Sequence, residues 1–137
     1  MSIYNDLYFR VRFLIRRKKW SAAQNIAFSC IKNSLFVGIE RIRMESLLAY
    51  IEFNLGNENK AAEIVINLVN NDENDIDRMS IIEIEHFEMI AQNISSTDLN
   101  KIIINLEKKY ANGDIINRVN INAVIQQYKI AYSRENY

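Results

Sequence analysis

Between Leu48 and Val69 two apolar, helix-patterned segments are separated only by Gly56-Asn57. A corner that short leaves room for one arrangement, two helices folded back on each other. The rest of the chain repeats this pattern. It has no proline and three glycines, so few positions interrupt helix and many favour it over a turn-rich β fold. Hydrophobic residues make up 49% of the 137 positions and charged residues 25%, enough apolar material for a single core.

Apolar periodicity predicts seven helices. The first runs from Ile3 to Lys18, with Leu7, Val11, Leu14 and Ile15 on one side. A second spans Ala22 to Asn33, with Ser21 as its expected N-cap and Ala23, Ile26, Ala27, Cys30 and Ile31 facing inward. A third covers about Phe36 to Leu55, and a fourth Glu58 to Asn70. The acidic stretch Asn70–Asp75 predicts a loop. Helices are expected beyond it from about Asp77 to Ile94, from Leu99 to Tyr110 and from Asp114 to about Ser133.

Sliding the sequence along itself until Ala23 meets Ala61, and Ala61 meets Leu99, aligns apolar with apolar in seven columns. Ile26, Ile64 and Ile102 fall in the next column, then Ala27, Val65 and Ile103, and Cys30, Leu68 and Leu106. The first helices align through Val11, Ala49 and Phe87, through Phe13, Ile51 and Met89, and through Ile15, Phe53 and Ala91. The corners recur too, at Lys18-Lys19-Trp20, Gly56-Asn57 and Ser95-Ser96. Self-similarity at such a period is the mark of a stacked helical repeat.

The central segment resembles the tetratricopeptide repeat, through Leu48-Ala49 in the first helix, Leu55-Gly56 at the corner and Ala61 five residues after the glycine. Glu45 and Glu52 stand where that family has an aromatic residue and a tyrosine, the closing proline is absent and the period is long. The resemblance implies an all-α, right-handed stack of three helix hairpins, over residues 3–34, 36–71 and 77–110, with a C-terminal capping helix at 113–134. First helices would then line a concave groove. The groove positions carried across are Tyr8, Arg12, Ile15 and Arg16, then Arg43, Ser46, Tyr50, Phe53 and Asn54, then Ile81, Ile84, Glu88 and Gln92. Small single-domain proteins of this kind resemble bacterial secretion chaperones, notably those of type III systems. The segments Trp20–Ala23 and Leu48–Ala61 carry that likeness.

Charge is unevenly spread over a chain of net charge zero. Residues 1–60 hold ten Lys/Arg and five Asp/Glu, and residues 61–98 hold one and nine. The sharpest basic cluster is Arg10, Arg12, Arg16, Arg17, Lys18 and Lys19. The neutral total and acidic middle argue against nucleic acid and for an acidic protein contact or a solvated rim. A partner with an amphipathic helix or an extended segment suits the groove, and the acidic set Asp72–Asp77 with Glu83, Glu85 and Glu88 suits basic residues of a partner or of a second copy in a homodimer. No catalytic constellation is present. His86, the one histidine, lies beside Glu85 and Glu88 and reads as a solvated or groove residue. No cofactor motif occurs, and no run of 18 apolar residues suggests a membrane span. A single cysteine, Cys30, and the lack of a signal-peptide pattern point to the cytoplasm. The functional expectation is a protein-binding, non-enzymatic module that acts as a chaperone. The alternative is a regulator that binds a peptide or a transcription factor.

Overall fold

The computed structural model describes residues 3–70, together with Ile90, Ser95, Thr97, Leu99, Asn100, Lys101, Ile103, Ile104, Gln126, Lys129, Ile130 and Ser133. The described residues are helical apart from short connections, and no strand occurs among them, so the chain is all-α. Four helices are complete: α1 (Ile3–Arg16), α2 (Trp20–Lys32), α3 (Gly38–Asn54) and α4 (Glu58–Asn70). Of the acidic stretch only Asn70 is described, as the last residue of α4, and of the three expected helices beyond it only the separate positions just named; the rest of the third hairpin and of the capping helix lies outside the described residues.

Each helix buries a face spaced by three or four residues. On α1 this face is Tyr4, Tyr8 and Val11, and on α2 it is Ala23, Ala27 and Cys30. On α4 it is Ala61, Ala62, Val65 and Leu68. Helix α3 differs, because Met44, Ser46, Leu47, Leu48, Ala49, Ile51 and Glu52 are buried nearly all round it. The reason is its position: α3 packs against α1, α2 and α4. Alanines at the contact faces of α2 and α4 let these helices approach closely, while Met44, Leu47 and Ile51 supply the bulk. Aromatic contacts pin the edges. Tyr4 stacks on Tyr8 at 5.3 Å and meets the edge of Phe36 at 5.1 Å, holding the α2–α3 connection against α1.

Three corners share one construction. After α1, Lys19 N–H donates to the Leu14 carbonyl at 2.9 Å and Lys18 N–H to that of Ile15 at 2.9 Å. After α2, Leu35 and Ser34 donate to Cys30 and Ile31, each at 3.1 Å. After α3, Asn57 donates to Glu52 at 2.9 Å and Gly56 to Phe53 at 3.1 Å. This paired bonding is the Schellman motif, which satisfies the last carbonyls of a helix and requires a left-handed residue at its turn. That residue is Lys18 (φ 56), Ser34 (φ 51) and Gly56 (φ 87). The motif explains where the sequence-based boundaries shift. Helix α1 stops at Arg16 because Lys18 turns left-handed, and α2 starts at Trp20 because Lys19 is already its N-cap. Ser21, expected to cap α2, lies inside it, and Lys19 makes no side-chain capping bond.

The chain re-enters helix directly from two of these turns. Ala23 N–H donates to the Lys19 carbonyl and Ala61 N–H to that of Asn57, both at 3.0 Å. Leu99 N–H donates to the Ser95 carbonyl in the same way, at 2.8 Å.

A Cβ added at Gly56 would meet nothing within 4 Å, so Gly56→Ala isolates the conformational cost of a left-handed alanine. It is expected to destabilise the chain by about 1 kcal/mol. Lys18→Gly relieves the same strain at the first corner and is expected to stabilise by about 0.5 kcal/mol, net of the entropy glycine adds to the unfolded chain. Urea denaturation followed by circular dichroism measures both.

Candidate functional site

The groove positions of the first two hairpins separate by burial. Tyr8 and Ser46, which occupy equivalent positions in the repeat register, are both buried, so neither is presented to a partner. The Tyr8 ring is sandwiched within the α1 aromatics and lies 5.7 Å from the Arg12 guanidinium carbon. The Ser46 hydroxyl makes no hydrogen bond among the described residues. Arg12, Ile15, Arg43, Tyr50 and Phe53 are half-buried, and Arg16 and Asn54 are exposed. Ile15 leans on the core cluster. Tyr50 meets the Trp20 indole edge-on at 5.8 Å, and its carbonyl accepts a 2.9 Å hydrogen bond from Asn54 Nδ2. Ile81, Ile84, Glu88 and Gln92, like His86, lie outside the described residues.

Of the expected groove positions on α1 and α3, Ile15, Phe53 and Tyr50 thus keep partial exposure, as do Arg12 and Arg43, and Arg16 and Asn54 are exposed. These positions combine apolar surface with hydrogen-bonding groups and positive charge. Among the described residues no three of His, Cys, Asp or Glu stand together to hold a metal ion.

Sequence reasoning missed Glu52. It is fully buried in the last turn of α3. Gln24 of α2 donates its Nε2 to Glu52 Oε1. Asn57 Nδ2 donates to Oε2 at 2.9 Å, and Lys60 Nζ of α4 lies 3.8 Å from the same oxygen. One carboxylate thus ties α2, the corner and α4 to α3. The Lys60 ammonium also sits 5.6 Å from the centre of the Phe28 ring, which extends the tie one turn along α2 from Gln24. The repeat register places Leu14 and Ile90 at the positions matching Glu52, and Ile90 is fully buried. Glutamate in a column of aliphatic residues was the available signal.

Cys30 is buried among the α2 core residues. Burial pushes its thiol up from the ordinary value, and a backbone hydrogen bond acts weakly the other way. The thiol form is therefore favoured and nucleophilic attack is suppressed.

No helix among the described residues is long and apolar enough to cross a membrane. The fold and the expected groove positions define an all-α protein with an accessible surface of mixed apolar and basic character. No family model matches the chain, and neither a curated protein nor a solved structure matches it significantly.

Glu52→Ala leaves Gln24, Asn57 and Lys60 without their common acceptor and opens a cavity, and is expected to cost about 2–3 kcal/mol in urea denaturation. Lys60→Ala is expected to cost under about 0.5 kcal/mol, because Lys60 is half exposed and solvent screens its charge. In the folded chain Cys30 is expected to react with an aromatic disulfide reagent at least about tenfold more slowly than in urea, measured by thiolate release at neutral pH.

Proposed function

We propose that the chain is a protein-binding module built as a tetratricopeptide-like, right-handed stack of three helix hairpins with a capping helix. It holds an amphipathic segment of a partner in the cytoplasm, as chaperones of type III secretion hold their clients. The observation that carries this reading is the recurrence of the helix-starting bond. Ala23 to Lys19, Ala61 to Asn57 and Leu99 to Ser95 follow one another at a constant interval along the chain. The same register aligns buried Ala23, Ala61 and Leu99, and buried Ala27, Val65 and Ile103. A hairpin stack with so regular a spacing carries its first helices side by side, and the packing of α3 on α1 fits that order.

Recognition then falls to the accessible first-helix positions. Phe53 and Ile15, at matching registers, offer apolar anchors, and Tyr50 adds a rigid ring with a polar tip. Arg12 and Arg16 would set the direction of a bound segment with an acidic end. Burial of the client's apolar face is the work such a surface performs. No group in it is suited to altering the client covalently.

The test is capture of a client from lysate of the source cells by the tagged full chain. Tyr50→Ala and Phe53→Glu are expected to abolish capture while the helical circular-dichroism spectrum stays unchanged. Unchanged capture by both variants would overturn the groove reading. A chain that is stable alone and releases a short ligand readily would instead indicate a regulatory module.

A further inference from the structure

We propose that the outward face of α1, centred on Phe9 and Phe13, is a second docking surface that receives an acidic amphipathic helix of a partner protein. Phe9 is 60% exposed and Phe13 54%, on the side of α1 opposite Tyr4, Tyr8 and Val11. The two side chains are one helical turn apart on the same face of α1. The Arg17 guanidinium carbon lies 4.9 Å from the centre of the Phe13 ring, so cation and ring present one composite surface.

What fits this face follows from the register, and so this inference rests on the repeat reading above. Phe9 and Phe13 align with Leu47 and Ile51 in the same register that aligns Ala23 with Ala61. In α3 those two side chains are fully buried and belong to the same core cluster as Ala23, Ala27 and Cys30 of α2. The equivalent face of the second hairpin is thus covered by helix, whereas α1 shows it to solvent. The element that completes it is a helix.

Charge decides which helix. Phe9 and Phe13 are four residues apart, and Asp6 three residues before and Arg16 three residues after extend their line with charged ends. Arg10, Arg12 and Arg17 flank that line at the positions that set partner choice in paired helices, and all three are basic. Pairing of two α1 helices would bring these cations together, so the occupant is not the same helix from a second copy. A partner with apolar seam residues and glutamates at its flanks is complementary in both shape and charge.

The probe is a synthetic peptide of about three heptads, with leucine in the seam and glutamate at the flanks. A counterpart carries lysine in place of glutamate. Fluorescence anisotropy of each labelled peptide is followed against the full chain. The acidic peptide is expected to bind, and the lysine peptide is not. Phe9→Ser with Phe13→Ser is expected to weaken binding at least tenfold, and since both side chains are exposed the helical spectrum is expected to be unchanged. Arg10→Glu with Arg17→Glu is expected to reverse the preference toward the lysine peptide. Tyr50→Ala, in the groove proposed above, is expected to leave peptide binding unchanged, so the two surfaces fail or stand separately. Equal binding of both peptides, or of neither, overturns the proposal. So does capture of phosphatidylserine vesicles that depends on Phe9 and Phe13 without binding of the acidic peptide.

Discussion

The Glu52 carboxylate is the tie on which the arrangement of the helices depends. A charged group taken wholly out of water costs several kcal/mol unless its oxygens find partners. Glu52 finds them on three sides, in Gln24 of α2, Asn57 of the corner and Lys60 of α4. These partners lie on different segments, so the carboxylate is satisfied only when α2, α3 and α4 meet in one geometry. Aliphatic contacts tolerate sliding by a fraction of a turn. A hydrogen-bonded carboxylate tolerates much less, and the register of the second hairpin against the first is narrowed accordingly.

Glu52 also links this tie to the main-chain corner. Its carbonyl accepts from Asn57 N–H while its carboxylate accepts from Asn57 Nδ2, both at 2.9 Å. In most turns of this type an apolar contact joins those two positions. Here a polar pair takes its place, and Asn57 serves at once as the end of α3 and the start of α4. Lys18 and Ser34 hold the same left-handed conformation without glycine's freedom, which means the packing of α1 on α2, and of both on α3, is strong enough to sustain the strain.

Much of this was legible in the residues. Gly56-Asn57 marked its corner, the apolar spacing marked α1 to α4, and α4 begins at Glu58 as its pattern implies. Boundaries at the other corners were harder to place. Lysine and serine carry no sign of a left-handed turn, so α1 reads too long, to Lys18 rather than Arg16, and α2 starts later in the pattern than in the structure. The groove positions implied by the tetratricopeptide resemblance include Ile15, Tyr50 and Phe53, which are half-buried. The resemblance did not distinguish them from Tyr8 and Ser46, whose burial depends on how α1 and α3 rotate against their neighbours.

The sequence by itself determined that the chain is helical, because the spacing of apolar residues and the scarcity of breakers are local properties. The alignment of apolar residues from Ala23 to Ala61 to Leu99 is likewise a property of residue identity alone. Tertiary structure decided which members of the pattern are inside. Phe9 and Phe13 match Leu47 and Ile51 in register, yet the first pair is exposed and the second buried, since α3 packs against α1, α2 and α4 on that side whereas the described helices leave the corresponding side of α1 open. It decided too that Glu52, polar by identity, is core by position. Burial is set by what a neighbouring helix covers, and a one-dimensional pattern does not contain that neighbour.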